Sequence, residues 1–202
     1  TDELIALASV ASEFGGLYTS HIRDEGNYSV GLIAAVNEVI RIAEEAKLPG
    51  IVSHMKVLGP DSWGLSVAAT TRLNMARRRG VEVFADQYPY TASSTSLTGA
   101  FIPRWAQVGG EAELQRRMGA PETRRRLIEE VRTNLRRRGG AASQIIAFSR
   151  QDRSLEGRSL ADIAEMRRQA PEETTLDLVA AGGASIVSFN MYIPEILALE
   201  FR

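Results

Sequence analysis

An α/β fold with parallel strands is what this sequence predicts, and two observations carry the prediction. His21, His54 and Asp86 lie 33 and 32 residues apart, and each closes a short apolar run. Between successive runs stands one helix-length segment with a single apolar stripe. Connections of that length join parallel strands, whereas antiparallel neighbours need only a short turn.

Taken in order, Asp2 to Glu13 places Leu4, Ile5, Leu7, Ala8 and Ala11 at helical spacing, and Gly15-Gly16 stops it. A strand is expected over 17–23. Ser29 is the expected N-cap of a helix to Ala46, with Ile33, Val36, Val39, Ile40 and Ala43 on one face. Pro49-Gly50 ends it, and a second strand runs over 51–56. A helix of about 64–79 comes next, closed by Gly80, and the third strand covers 81–86.

After Asp86 the rhythm breaks. Residues 87–96 read as a polar loop with aromatics, and 97–142 as an aromatic turn (Phe101, Trp105) leading into two basic helices. The runs Arg116-Arg117, Arg124-Arg125-Arg126 and Arg136-Arg137-Arg138 are interleaved with Glu111, Glu113, Glu122, Glu129 and Glu130, which is the pattern of a solvated helix face. A strand resumes over 144–148. One helix is expected after Arg158-Ser-Leu to about Arg168 and another over 172–181, then a buried-type strand over 184–190 and a final helix opened by Pro194.

Composition narrows the classes. The 202 residues carry a formal net charge of −1, so no global basic excess points to nucleic acid. No apolar stretch approaches the roughly 20 residues of a membrane span. With no cysteine there are no disulfides, and a metal site must be built from His and carboxylates. This composition fits a cytoplasmic protein. The first and last residues both read as helix, and the chain is expected to be a fragment.

His21 and His54, the two histidines of the sequence, each come directly after a serine at the end of a strand, where parallel α/β folds build their sites. Two imidazoles on neighbouring strands can share a divalent ion. Asp86, Asp24 and Glu25 are candidates for a third ligand, or simply loop caps. Arg23 and Lys56 lie two residues past their histidines, on the same side of a strand. Such cations suit an anionic substrate; Arg23 has a salt bridge to Asp24 or Glu25 as its alternative. Tyr88, Tyr90 and Ser94 are candidate pocket residues.

Three segments, Tyr18-Thr-Ser-His-Ile-Arg-Asp-Glu25, Ser53-His-Met-Lys56 and Asp86-Gln-Tyr-Pro-Tyr-Thr-Ala-Ser-Ser94, resemble the N-acyl-D-amino-acid deacylases (D-aminoacylases) of the amidohydrolase superfamily. The likeness extends to Asn190-Met191 and Pro194-Glu195. It implies a metal-dependent (β/α)8 barrel, of which the chain holds the part from about strand 5 through strand 7 and onward. It implies that His21 and His54 bind zinc, that Lys56 engages the substrate carboxylate, and that Tyr88 and Ser94 line the pocket. Segment 97–142 resembles the family's helical flap.

The family's His-x-His pair does not occur in the sequence, and its general-base Asp is expected beyond Arg202. In the whole enzyme, zinc would polarise the amide carbonyl and activate water while that Asp moves the proton. The 202 residues alone are therefore expected to be inactive, with open barrel edges covered by self-association or by further chain. Two alternatives stand beside this reading. One is a cyclic amidase of the dihydropyrimidinase or dihydroorotase type; the other is a non-catalytic chain that folds by association.

Overall fold

A computed structural model describes residues 1–192 and Glu195. The chain forms two compact units, one of Thr1–Thr91 with Met191, Tyr192 and Glu195, the other of Ala92–Asn190. The helix expected from Pro194 lies outside the described residues.

The first unit keeps to the expected β/α alternation. Helix α1 (Asp2–Glu13) starts with two acids, which suits the positive end of its dipole. Strand β1 (Tyr18–Ser20), helix α2 (Leu32–Ala46), strand β2 (Gly50–Val52), helix α3 (Ser66–Arg78) and strand β3 (Val83–Ala85) complete it. The sheet order is β1-β2-β3 and both pairings are parallel, with Ser20 opposite Val52 and Val52 opposite Ala85. Val36, Val39, Ile40 and Ala43 on one face of α2 pack with Val52, Ala69, Leu73, Ala76 and Val83. Helix α1 lays Leu4, Ile5, Ala8 and Ala11 against Ile42, Ala46 and Leu48.

Three expectations need correction here. Each strand is half the expected length or less, because the chain turns as soon as three ladder pairs are made. Beyond Ser20 the backbone dives inward, burying Ile22, Asp24 and Glu25; beyond Val52 it enters a turn in which His54 has φ 39°. Ser29 does not cap α2. Its N–H and hydroxyl are bound to the Asp24 carboxylate, and the helix starts three residues later behind Gly31, whose φ of 82° suits glycine. Helix α3 begins at Ser66, after a single 3-10 turn over Pro60–Ser62. The Glu195 carboxylate accepts the N–H groups of Gly64 (2.7 Å) and Ser66 (3.0 Å) at that helix start, a favourable place for a negative charge.

The second unit is built around an antiparallel sheet, β4 (Ser93–Ser96), β5 (Gln144–Phe148) and β6 (Ser185–Ser188), in the order β4-β6-β5. The parallel rule therefore ends with β3. Strand β4 falls inside what the sequence suggested was a loop: Ser-Ser-Thr-Ser has no apolar alternation, and its backbone pairs with β6 all the same. Helices α4 (Leu97–Phe101), α5 (Arg104–Gln107), α6 (Glu111–Gly119) and α7 (Pro121–Arg137) fill the 97–142 segment, and α8 (Leu160–Arg167) and α9 (Pro171–Ala180) come after β5. Phe101, Leu127, Val131, Leu135, Ile146, Ile163, Leu176 and Ile186 form one core. The arginines of α6 and α7 are largely ion-paired: Arg116 with Glu113, Arg126 with Glu130, Arg132 with Glu129 and Glu172, and Arg124 with Asp177. Among the described residues no helix is long and apolar enough to cross a membrane.

Candidate metal centre

The carboxyl ends of β1 and β2 bring the two histidines together. Ser53 N–H donates to Ser20 O at 2.9 Å, extending the contact one step past the ladder, and Thr19 Oγ1 meets Ser53 Oγ at 2.7 Å. From that frame His21 Nδ1 and His54 Nε2 face each other at 2.8 Å, the rings edge-on with their planes at 76°.

The third strand fixes the second histidine. Asp86 Oδ1 accepts the His54 backbone N–H at 2.6 Å, and the Asp86 backbone bridges Met55 N–H and Val52 O. These bonds hold His54 in the left-handed conformation that aims its ring across the strand ends; histidine is among the residues that tolerate it. Asp86, a candidate ligand by sequence, thus commits one oxygen to the backbone of a histidine.

Asp24 likewise serves the backbone. Its two oxygens accept N–H groups from Gly26, Ser29 and Gly31 at 2.5–3.0 Å. Burial works to raise its carboxyl, and the backbone donors of Ser29, Gly31, Gly26 and Tyr28 outweigh it, leaving the group below its ordinary range. The turn so formed presses against the loop after β2: Leu58 N–H donates to Glu25 O at 2.8 Å. A Cβ on Gly26 would stand 2.7 Å from Leu58 O, so only glycine allows the approach.

That packing carries Glu25 into the site. Its carboxylate, buried, lies 3.1 Å from His54 Nδ1 and accepts a hydrogen bond from Lys56 Nζ. Lys56 Nζ is also 2.7 Å from His54 Nδ1 and 5.6 Å from the centre of the Tyr88 ring. Neither His54 nor Lys56 lies on a strand, so their proximity comes from the turn and not from the alternation of side chains that the sequence suggested. Burial pushes the Tyr88 hydroxyl up to about 12, with the Glu25 charge adding to it, and the phenol stays protonated. Burial also lowers the His21 imidazole; Glu25 opposes this, while His54 and Lys56 add to it. A neutral imidazole is the form that ligates metal.

His21, Glu25 and His54 offer donor atoms all within 4.8 Å of one another. Nitrogen, nitrogen and carboxylate oxygen form a donor set that zinc accepts, and for both imidazoles to reach one ion at about 2.0–2.1 Å the facing nitrogens need part by only about half an ångström. The residues present fit such an ion.

Arg23 does not join them. Its guanidinium grips Glu38 of α2 through two hydrogen bonds of 2.8 and 2.7 Å, a partner fifteen residues on and neither of the adjacent acids. Tyr90 is exposed and leans on Tyr88 at 6.1 Å between ring centres. Ser94 belongs to the second unit, where it is exposed on β4 opposite Val187. Trp63 stacks on Tyr192 at 5.0 Å, a pair that no sequence signal announced.

No protein-family model matches the chain. Over 95 residues, 47% of its length, it is 43% identical to an N-acyl-D-glutamate deacylase of Alcaligenes xylosoxydans xylosoxydans. Over 97 residues, 48% of its length, it is 38% identical to a D-aminoacylase of the same organism. Each match covers 19% of that relative. Among solved structures, 98% of the chain superposes on 33% of an N-acyl-D-glutamate deacylase from Bordetella bronchiseptica, with a TM-score of 0.70 and 29% identity. That protein was crystallised with zinc and a phosphonate that mimics the tetrahedral intermediate. A D-aminoacylase variant in complex with copper chloride matches 96% of the chain over 32% of its own length, with a TM-score of 0.67 and 25% identity. The chain thus spans about a fifth to a third of the proteins it matches.

Proposed function

We propose, from the premise that this chain corresponds to a partial region of the D-aminoacylase and N-acyl-D-glutamate deacylase family, that it carries the two-histidine part of a zinc-dependent deacylase site. The whole protein hydrolyses the amide of an N-acyl-D-amino acid, giving a carboxylate and a D-amino acid. The observation that supports this most is the 2.8 Å approach of His21 Nδ1 to His54 Nε2 at the carboxyl ends of neighbouring parallel strands.

His21 and His54 would hold the ion. Zinc, when bound there, supplies Lewis-acid polarisation of an amide carbonyl. Lys56, the ammonium beside Glu25 and His54, binds the carboxylate of the substrate. Tyr88, protonated and half-buried beside Lys56, lines the same pocket. Arg23 is spent on Glu38, and the anion-binding role falls to Lys56.

The 202 residues by themselves do not turn substrate over. Among the described residues the carboxylates near the histidines each serve another group, Asp86 the His54 N–H through one oxygen, Asp24 its turn and Glu25 the Lys56 ammonium, and a site without a positioned base loses about 10²–10⁴ in rate.

The experiment compares hydrolysis of N-acetyl-D-glutamate and N-acetyl-D-methionine with that of their L-enantiomers, using the whole protein with and without zinc. Zinc-dependent, D-selective amide cleavage is expected. Absence of cleavage by the zinc-loaded whole protein overturns the reading, and turnover by the 202-residue chain overturns the statement about a missing base.

A further inference from the structure

Helix α3 starts without a local cap: Leu65 precedes it, and a leucine side chain offers no acceptor. The acceptor comes from far along the chain. Glu195, 131 residues after Gly64, gives Oε1 to Gly64 N–H at 2.7 Å and Oε2 to Ser66 N–H at 3.0 Å. A carboxylate is costly to bury unless it gathers donors. Glu195 is buried, so these two amides fix where it sits.

Its neighbours are tied down with it. Glu195 N–H closes on Tyr192 O at 2.9 Å, and the Tyr192 ring stacks on Trp63, the residue before Gly64. Met191 is buried with Leu58, and Tyr28 and Tyr88 pack on that pair. Leu58 belongs to the loop after β2, which carries Lys56, and Tyr88 to the loop after β3. Met191 therefore sits where the two pocket-forming loops meet. Lys56, Tyr88, Met191 and Glu195 share the lining of one small cavity.

We propose that Glu195 is a positioning residue for substrate binding: by gripping the start of α3 it pins Met191 between the two loops, and Met191 holds Tyr88 beside Lys56. This rests on the reading of Lys56 and Tyr88 as the substrate pocket. A helix cap alone would account for the two amide bonds, but not for the Tyr192 stack and the Met191 contacts that come with them. The carboxylate reaches the α3 start and the Tyr88 side of the pocket, so its loss acts on substrate affinity ahead of metal affinity.

The test uses the whole zinc-loaded protein and two kinds of readout. In Glu195→Ala, amide exchange at Gly64 and Ser66 should accelerate, and the Met191 methyl and Tyr88 ring resonances should move. KM for N-acetyl-D-amino acids should rise by about ten- to a hundredfold, the scale of a binding group misplaced by about 1 Å, with kcat and zinc affinity changed far less. Glu195→Gln, which keeps one oxygen acceptor, should fall between wild type and Glu195→Ala, and it serves if the alanine variant fails to fold. Faster exchange with unchanged KM makes Glu195 a helix cap and overturns the inference. So do unmoved Met191 and Tyr88 resonances, or equal losses in KM, kcat and zinc affinity. If wild type cleaves no N-acyl-D-amino acid, the deacylase reading fails, and the Met191 and Tyr88 resonances alone decide the positioning role.

Discussion

Asp86 Oδ1 accepts the backbone N–H of His54 at 2.6 Å, so a residue just past the third strand sets the conformation of one just past the second. Asp86→Ala removes that acceptor. The turn at φ 39° loses its anchor, and His54 Nε2 no longer sits fixed opposite His21. Zinc affinity, measured by calorimetry, should fall about tenfold or more, in the range found when supporting partners of metal ligands are removed. Stability should drop by about 1.5–3 kcal/mol, as for loss of a hydrogen bond to a charged group.

Lys56→Met in the whole protein should raise KM, or lower kcat/KM, for N-acetyl-D-amino acids by a factor of about ten to a hundred. A charge-assisted hydrogen bond of about 1.5–3 kcal/mol sets that scale. Unchanged kinetics would make Lys56 a structural partner of Glu25 alone.

Glu38 gives a pH-dependent test. The hydrogen bond from Arg23 holds its carboxyl below the ordinary glutamate value; burial opposes this and Thr1 assists it. A carboxyl lowered in the folded state stabilises the fold fully above its unfolded pKa of about 4.3, and that contribution fades as the pH falls below this toward the native value. Glu38→Gln should therefore be less stable than wild type at about pH 7, by about 0.2–1 kcal/mol because Arg23 is half in solvent. Urea midpoints of the two proteins should converge as the pH falls below the native value of the Glu38 carboxyl.

Phe101 is fully buried at the centre of the second unit. Phe101→Ala should cost about 3–5 kcal/mol, the transfer and cavity terms together. Trp105 packs on the same core, and in a Trp63→Phe background it is the single tryptophan left to report the unfolding. Its urea midpoint should fall accordingly; a shift under about 1 kcal/mol would mean that the cavity collapses.

Much of the first unit was legible because strand ends, helices and glycine stops repeat on one period. Helices α1, α8 and α9 and strand β5 lie within a residue or two of where apolar spacing put them. Strand β4 was not legible, since Ser93–Ser96 makes its ladder with backbone alone. In the site, matching Ser-His contexts marked His21 and His54 as a pair. The partners of the charged residues were less visible. Arg23 passes over two neighbouring acids for Glu38, because the chain buries Asp24 and Glu25 while Arg23 stays outside. Glu25 reaches Lys56 only because the turn at Gly26 docks on Leu58, a contact between segments about thirty residues apart that no local pattern encodes.

Met191 N–H reaches Thr91 O at 3.3 Å, and on the other side of that junction Ser93 pairs with Ser188 across the antiparallel ladder. The polypeptide therefore leaves the first unit and returns to it through one doorway. Evolution can lengthen, shorten or exchange what lies beyond such a doorway without redrawing the strands on the near side, since domain insertion succeeds where two chain ends already meet. For the protein engineer, the Thr91–Met191 seam is the place to graft a foreign cassette or to close the gap with a short glycine bridge.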